Sequence, residues 1–118
     1  MTHTEFLSSI LRCVRTAGAA SALTALRADR PAFHDDGARG AAYHDTLAVF
    51  YVWSVDRLVA GGLSNFGVLC HPLLDSRSPL VWWSPAVLAD AAAEHFVASD
   101  LARTGEPQPT EPLVLLAA

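Results

Sequence analysis

The chain has no lysine, and its eight basic residues are all arginine, a bias that a GC-rich genome explains more readily than a function. Twelve acidic residues outweigh them and leave a net charge of −4. That is the wrong sign for a protein whose main partner is a phosphate polymer, so nucleic acid is not the expected partner. Charged residues reach only 17%, too few for a solvated coiled coil, while 52% hydrophobic residues exclude intrinsic disorder. Long apolar runs are missing as well. The longest, residues 47–55, is about half of the ~20 residues a membrane span needs, and Asp56 and Arg57 follow it directly, so no membrane partner is expected. The two cysteines, Cys13 and Cys70, stand far apart and outside any C-x-x-C spacing, and the N-terminal MTHTEFLSS has no basic stretch leading into an apolar one. Reduced, buried, structural thiols in a cytoplasmic protein are expected from this. G-x-S-x-G, Walker A, G-x-G-x-x-G and internal repeats are all absent, which removes support from the motif-bearing enzyme classes.

What is present reads as helix. With 118 residues the chain fits one globular domain, residues 1–118, able to bury a core without a staple. Thr2 and Glu5 have the spacing of a capping box, and Phe6, Leu7, Ile10, Leu11 and Val14 follow at helical period. A second apolar set, Ala19, Ala20, Leu23 and Leu26, is rotated roughly 170° from the first at ~100° per residue, so one straight helix cannot bury both against one surface. A break at Gly18 is expected, and Arg30-Pro31 ends the region. Residues 41–60 predict a central helix, apolar over most of its circumference and closed by Gly61-Gly62. Asn65-Phe66-Gly67 suggests a turn, and Ser84-Pro85 starts a last helix carrying Val87, Leu88, His95, Phe96 and Leu101 as far as Gly105. Its His95 reads as a core histidine. Residues 106–112 are proline-rich and extended, and the apolar stretch that follows should dock on the core or on a partner.

The fold class this implies is mainly α: a compact bundle of four to five helices with a docked C-terminal segment. The alternative is α+β, with residues 47–55, 66–69, 80–83 and 113–116 forming a small sheet, because LAVFYVWSV is rich in β-branched and aromatic residues.

Few residues offer chemistry. His34, Asp36, His44 and Asp45 bring imidazoles and carboxylates close together and form a candidate metal set, although the spacing matches no closed zinc signature. The plainer reading is a solvated loop and an aspartate placed against a helix dipole. No cofactor is expected. Arg39 and His44 have R-x4-H spacing, which resembles the R-x4-6-H element of HEPN ribonucleases. The resemblance covers those two residues, and it implies an all-helical fold, a site formed across a dimer, and metal-independent RNA cleavage with Arg39 and His44 acting on the scissile phosphodiester. Gly40 departs from the pattern, since that superfamily usually has a polar residue after the arginine. Cys70-His71 is poorly placed for a thiolate–imidazole pair, because adjacent residues point apart. Arg12, Arg15, Arg27 and Arg30 would form an arginine stripe only if the helix ran straight through Gly18.

Aromatic residues are the remaining signal. If residues 80–83 are extended, Trp82 and Trp83 point to opposite sides, and one of them is then exposed. Together with Leu113 and Leu115 they form the candidate interface, since exposed tryptophan is enriched at binding hot spots. The reading that follows is a small acidic protein–protein interaction protein of the inhibitor, immunity, antitoxin or assembly-factor type. Its partner is a protein, basic by charge complementarity, or a second copy in a homodimer. A third possibility is a small-molecule pocket lined by Tyr43, Phe50, Tyr51 and Trp53.

Overall fold

A computed structural model describes residues 2–31, 43–89, 94–101 and 107–112. Among them are five α-helices and no strand: α1 (His3–Ala17), α2 (Ala19–Asp29), α3 (Asp45–Ala60), α4 (Asn65–Leu69) and α5 (Pro85–Leu88). Two 3₁₀ turns, Pro72–Leu74 and Ser78–Val81, lie between α4 and α5. The architecture is a helical bundle, with a Cα radius of gyration of 13.5 Å, the value expected for a compact chain of this length. The sheet alternative is overturned for residues 47–55, 66–69 and 80–83, which lie in α3, α4 and the second 3₁₀ turn with Trp82 and Trp83 just beyond it. Residues 113–116 lie outside the described residues.

Helix α1 begins with the expected cap: the Glu5 amide donates to Thr2 Oγ1 at 3.1 Å, and the Thr2 hydroxyl donates to Glu5 Oε1 at 3.2 Å. It buries Phe6, Leu7, Ile10, Leu11 and Val14, the stripe legible in the sequence. Gly18 then breaks the helix, with φ 92° and ψ 167°, a region essentially reserved for glycine. The break re-aims the chain so that α2 buries Ala22, Leu23 and Leu26 while packing on both α1 and α3.

Helix α3 is the centre. It contacts α1, α2, α4 and the Pro72–Leu74 turn, and Ala48, Val49, Phe50, Val52 and Val55 are fully inaccessible. A helix apolar on nearly every side has to be covered on every side, and over residues 45–52 it is, while Asp56 and Arg57 face out. Its C-terminus closes in a Schellman motif: the Gly62 amide donates to the Val59 carbonyl, the Leu63 amide to the Leu58 carbonyl, and Gly62 takes φ 88°.

Four local expectations are corrected. Asn65-Phe66-Gly67 is a helix rather than a turn, because the Ser64 hydroxyl accepts the Gly67 amide as an N-cap. The helix started by Ser84-Pro85 ends at Leu88, and residues 94–101 have no helical structure. There the side chains of Thr46 and Trp83 claim the backbone groups of His95 and Val97, in competition with helical bonds. His95 is accordingly exposed, and so is Cys70, the C-cap of α4, whereas Cys13 is half-buried; both thiols are free. No helix among the described residues is long and apolar enough to cross a membrane.

Replacing Gly18 with alanine puts a Cβ into open space but forces a side-chain-bearing residue into a glycine-only conformation. Gly18→Ala should therefore destabilise the fold by about 1–3 kcal/mol, measured by denaturant unfolding. An unchanged midpoint would mean that α1 and α2 do not depend on this break.

Candidate functional site

Three of the four buried polar or charged residues described, His44, Asp45 and Thr46, enter the core together with the buried Tyr43 at the N-terminus of α3. Each is held by groups from distant parts of the chain. Arg27 of α2 grips Asp45 with two parallel bonds, Nε to Oδ1 at 3.0 Å and Nη2 to Oδ2 at 2.9 Å. Its remaining Nη1 reaches Glu111 Oε2 at 3.2 Å. The Tyr43 hydroxyl donates to Asp45 Oδ1 at 2.8 Å, and the Arg30 guanidinium lies over the Tyr43 ring, 4.8 Å from its centroid. The pair is asymmetric: the Asp45 side chain is 7% exposed and that of Arg27 39%.

Burial alone would raise the Asp45 pKa. Hydrogen bonds from Arg27 and Tyr43, the Arg27 charge and the Phe96 backbone amide outweigh it and hold the carboxyl below the usual carboxylate range. The same network raises Arg27, chiefly through its bond to Asp45 and against the opposing effect of burial, and it raises Tyr43, first by burial and then by that bond.

His44 caps α3. Its Nδ1 accepts the Leu47 amide at 3.3 Å, so the proton sits on Nε2, which donates to the Leu88 carbonyl at 2.7 Å. Both nitrogens are committed, and the residue is 5% exposed. Arg39, its partner in the R-x4-H spacing, lies outside the described residues, as do His34 and Asp36 of the candidate metal set. His44 and Asp45, the two members the structure describes, bond to protein groups on different elements, and no cluster of three possible metal ligands exists among the described residues. Thr46 completes the knot, donating to the His95 carbonyl at 3.0 Å and accepting the Val97 amide at 3.1 Å. His71 caps the Pro72–Leu74 turn by accepting the Leu73 amide on Nδ1, which takes that nitrogen away from Cys70.

Both tryptophans of the predicted interface are buried, Trp82 at 7% exposure and Trp83 at 0%, so the expectation that one is exposed is corrected. It assumed an extended segment, in which neighbours point apart. In the 3₁₀ turn successive side chains lie about 120° apart, and the amides of both tryptophans bond the Pro79 carbonyl. Both rings therefore fan across one side of α3 against Phe50, with centroids at 5.3 and 5.8 Å. Trp83 donates its indole N–H to the Val97 carbonyl at 2.8 Å. The Trp82 indole nitrogen, by contrast, is buried without a hydrogen-bond partner among the described residues. Leu113 and Leu115 lie outside the described residues. The aromatic residues weighed as a small-molecule pocket fan around α3: Tyr51 packs on Phe6, Phe50 on the tryptophans, and Tyr43 under Arg30.

The surface around Trp82 has a different character. Leu80 and Val81 are 42% and 39% exposed, and Leu101, whose amide donates to the Trp82 carbonyl at 2.9 Å, is 42% exposed. Trp53, half-buried, packs edge-on against Trp82 and carries the exposed Arg57 over its ring. Sequence reasoning missed Leu101, which the assumed long helix placed on its apolar side, and read Leu80 and Val81 only as part of a short apolar run, a strand in the α+β alternative. No protein-family model matches the chain, and no curated protein and no solved structure matches it.

Two outcomes test the structural reading of the polar knot. Because the Asp45 pKa is lowered on folding, the contribution of Asp45 is present above the unfolded value of about 3.9 and is lost as pH falls through the folded one. Asp45→Asn should cost about 2 kcal/mol at pH 7, less than for a fully buried pair because Arg27 is partly solvated, and the deficit should shrink below about pH 4. A deficit independent of pH would show that the charge plays no part. His44→Ala should lower stability by about 1–2 kcal/mol through the lost cap and the orphaned Leu88 carbonyl. Unchanged thermal unfolding would instead mark His44 as free for chemistry.

Proposed function

We propose that this chain is a small, cytoplasmic protein–protein interaction protein, of the inhibitor, immunity, antitoxin or assembly-factor type, that engages its partner through the surface around Trp82. One observation carries the reading: three exposed apolar residues, Leu80 and Val81 just before Trp82 in sequence and Leu101 bonded to its carbonyl, flank a tryptophan whose buried indole N–H has no acceptor among the described residues. Scattered exposed leucines are ordinary, but three exposed apolar residues flanking an unsatisfied buried donor are not. A partner that covers the three side chains removes apolar area from water, and tryptophan and arginine, here Trp53 and Arg57, are the residue types that dominate interface energetics. The net charge of −4 favours a basic partner and predicts association that slows with added salt. The two free thiols agree with a reducing compartment.

Catalysis has less support. The histidine with the best catalytic spacing spends both nitrogens on the fold, and the carboxylate beside it is held by Arg27 and Tyr43.

The test is native mass spectrometry of the tagged protein recovered gently from its own host, beside a Leu80→Glu/Leu101→Glu variant. Both positions are exposed, so the variant should keep its stability within about 0.5 kcal/mol per site. A stoichiometric second chain with the wild type, lost with the variant, is the expected result. A complex that survives in the variant moves the interface elsewhere, a homodimer makes the partner a second copy, and a bare monomer sinks the reading.

A further inference from the structure

A second surface has the opposite charge character. On α1, Ser8, Leu11, Arg12, Arg15 and Thr16 recur at one-face helical spacing, and with Asn65 and Leu69 of α4 they line an open groove of about 330 Å³. None of these lining residues is acidic, in a chain whose net charge is −4. Arg15 is held in place across the groove, donating through Nε to Asn65 Oδ1 and through Nη2 to the Leu63 carbonyl at 2.8 Å, which leaves the rest of its guanidinium donors uncommitted. The Arg12 side chain has no ion-pair or hydrogen-bond partner among the described residues. Phe66, the neighbour of Asn65 on α4, is 78% exposed, the most exposed large apolar side chain described.

We infer that the groove between α1 and α4 docks an acidic segment of a protein partner, whose carboxylates meet Arg12 and Arg15 and whose apolar side chain covers Phe66. Charge complementarity carries the choice of occupant: two guanidiniums, one already fixed in place, offer forked donors matched to carboxylates, and fixing them beforehand reduces the ordering cost of binding. Nucleic acid is the weaker fit. Gly18 breaks the arginine stripe, Arg27 turns to Asp45 and Glu111, and Arg30 turns to Tyr43, so only two of the four stripe arginines are left to meet phosphates at this groove, on an acidic protein. This inference stands on residues separate from the Trp82 surface and goes beyond the function proposed for it.

The experiment uses the full-length ¹⁵N-labelled chain, titrated with a short synthetic peptide that carries glutamate and leucine at helical spacing. The same peptide with lysine for glutamate and a single-stranded oligonucleotide serve as controls. The glutamate peptide should shift the Arg12 and Arg15 Nε–H resonances and the Phe66 amide, with binding that weakens as salt is added. Arg12→Glu should weaken it roughly fivefold or more at unchanged Tm, Arg12→Lys should retain most of it, and Phe66→Ala should also weaken it. Leu80→Glu should leave it unchanged, which separates failure here from failure at the Trp82 surface. No shift at these residues, equal binding of the lysine peptide, or insensitivity to Arg12→Glu overturns the inference. Tighter binding of the oligonucleotide at the same resonances reassigns the groove to nucleic acid.

Discussion

Helix α3 has no solvent side over its first turns, and the remainder of the fold answers that constraint. A helix buried on one stripe needs one neighbour; a helix buried all round needs a shell. Here α1 and α2 form one part of the shell and the turn-rich segment after α4 forms another. The Gly18 break follows from the same demand. The two apolar stripes of the N-terminal region are out of phase, and only a chain reversal at a residue free of Cβ penalties lets both α1 and α2 reach α3. The opposite side is covered by aromatic bulk, with Trp82 and Trp83 packed across Phe50 and the segment 94–101 laid over them.

An all-round buried helix also carries its own N-terminus into the core, where its first amides would be orphaned. The polar knot solves this problem. His44 accepts one of those amides, while Asp45 places a negative charge at the positive end of the helix. Burying that carboxylate is costly, and the forked Arg27 bond with the Tyr43 hydroxyl offsets the cost. Thr46 uses its hydroxyl to donate to the His95 carbonyl and accept the Val97 amide, which ties an irregular segment to the central helix. Arg27 extends the network to Glu111, and Pro109 nearby in sequence is buried, so the described part of the C-terminal segment is drawn onto the bundle. Histidine, aspartate and tyrosine side by side thus reflect the cost of starting a helix inside a core.

Local signals in the sequence carried the helices that depend on local signals. The Thr2–Glu5 cap, the α1 stripe, the Gly18 break, the all-round apolar α3 with its glycine closure and the Ser84-Pro85 start all follow from spacing, propensity or capping chemistry, and all are found. What the sequence could not reveal involves partners far apart along the chain. Nothing near Asp45 announces that Arg27 holds it, and nothing near Val97 announces that Thr46 and Trp83 will take its backbone groups and stop the last helix. The direction of Trp82 and Trp83 turned on whether four residues formed a strand or a 3₁₀ turn, a choice between period two and period three that so short an apolar run does not encode. The candidate site was obscured for the same reason. Its tryptophan was legible as an oddity, whereas nothing in the sequence singled out the exposed Leu80, Val81 and Leu101 beside it.

Burial energetics bear on why those rims face outward. On α4, Val68 is fully buried while Phe66, two residues earlier, is 78% exposed. Fully burying a phenylalanine is worth about 1.5–3 kcal/mol, so folding alone gains nothing from putting the larger residue outside. Leu80, Val81 and Leu101 make the same choice around a tryptophan that forgoes a hydrogen bond worth about 1 kcal/mol net. A domain of this size is stable by about 5–15 kcal/mol, and such concessions are a noticeable share of that margin. They become economical if the outward residues are buried in a second event. The fold leaves two such places, an apolar collar around Trp82 and an arginine-lined groove beside Phe66. Their opposite character is why the two proposed contacts differ in chemistry, whereas the polar knot at the helix entrance has its groups satisfied within the fold.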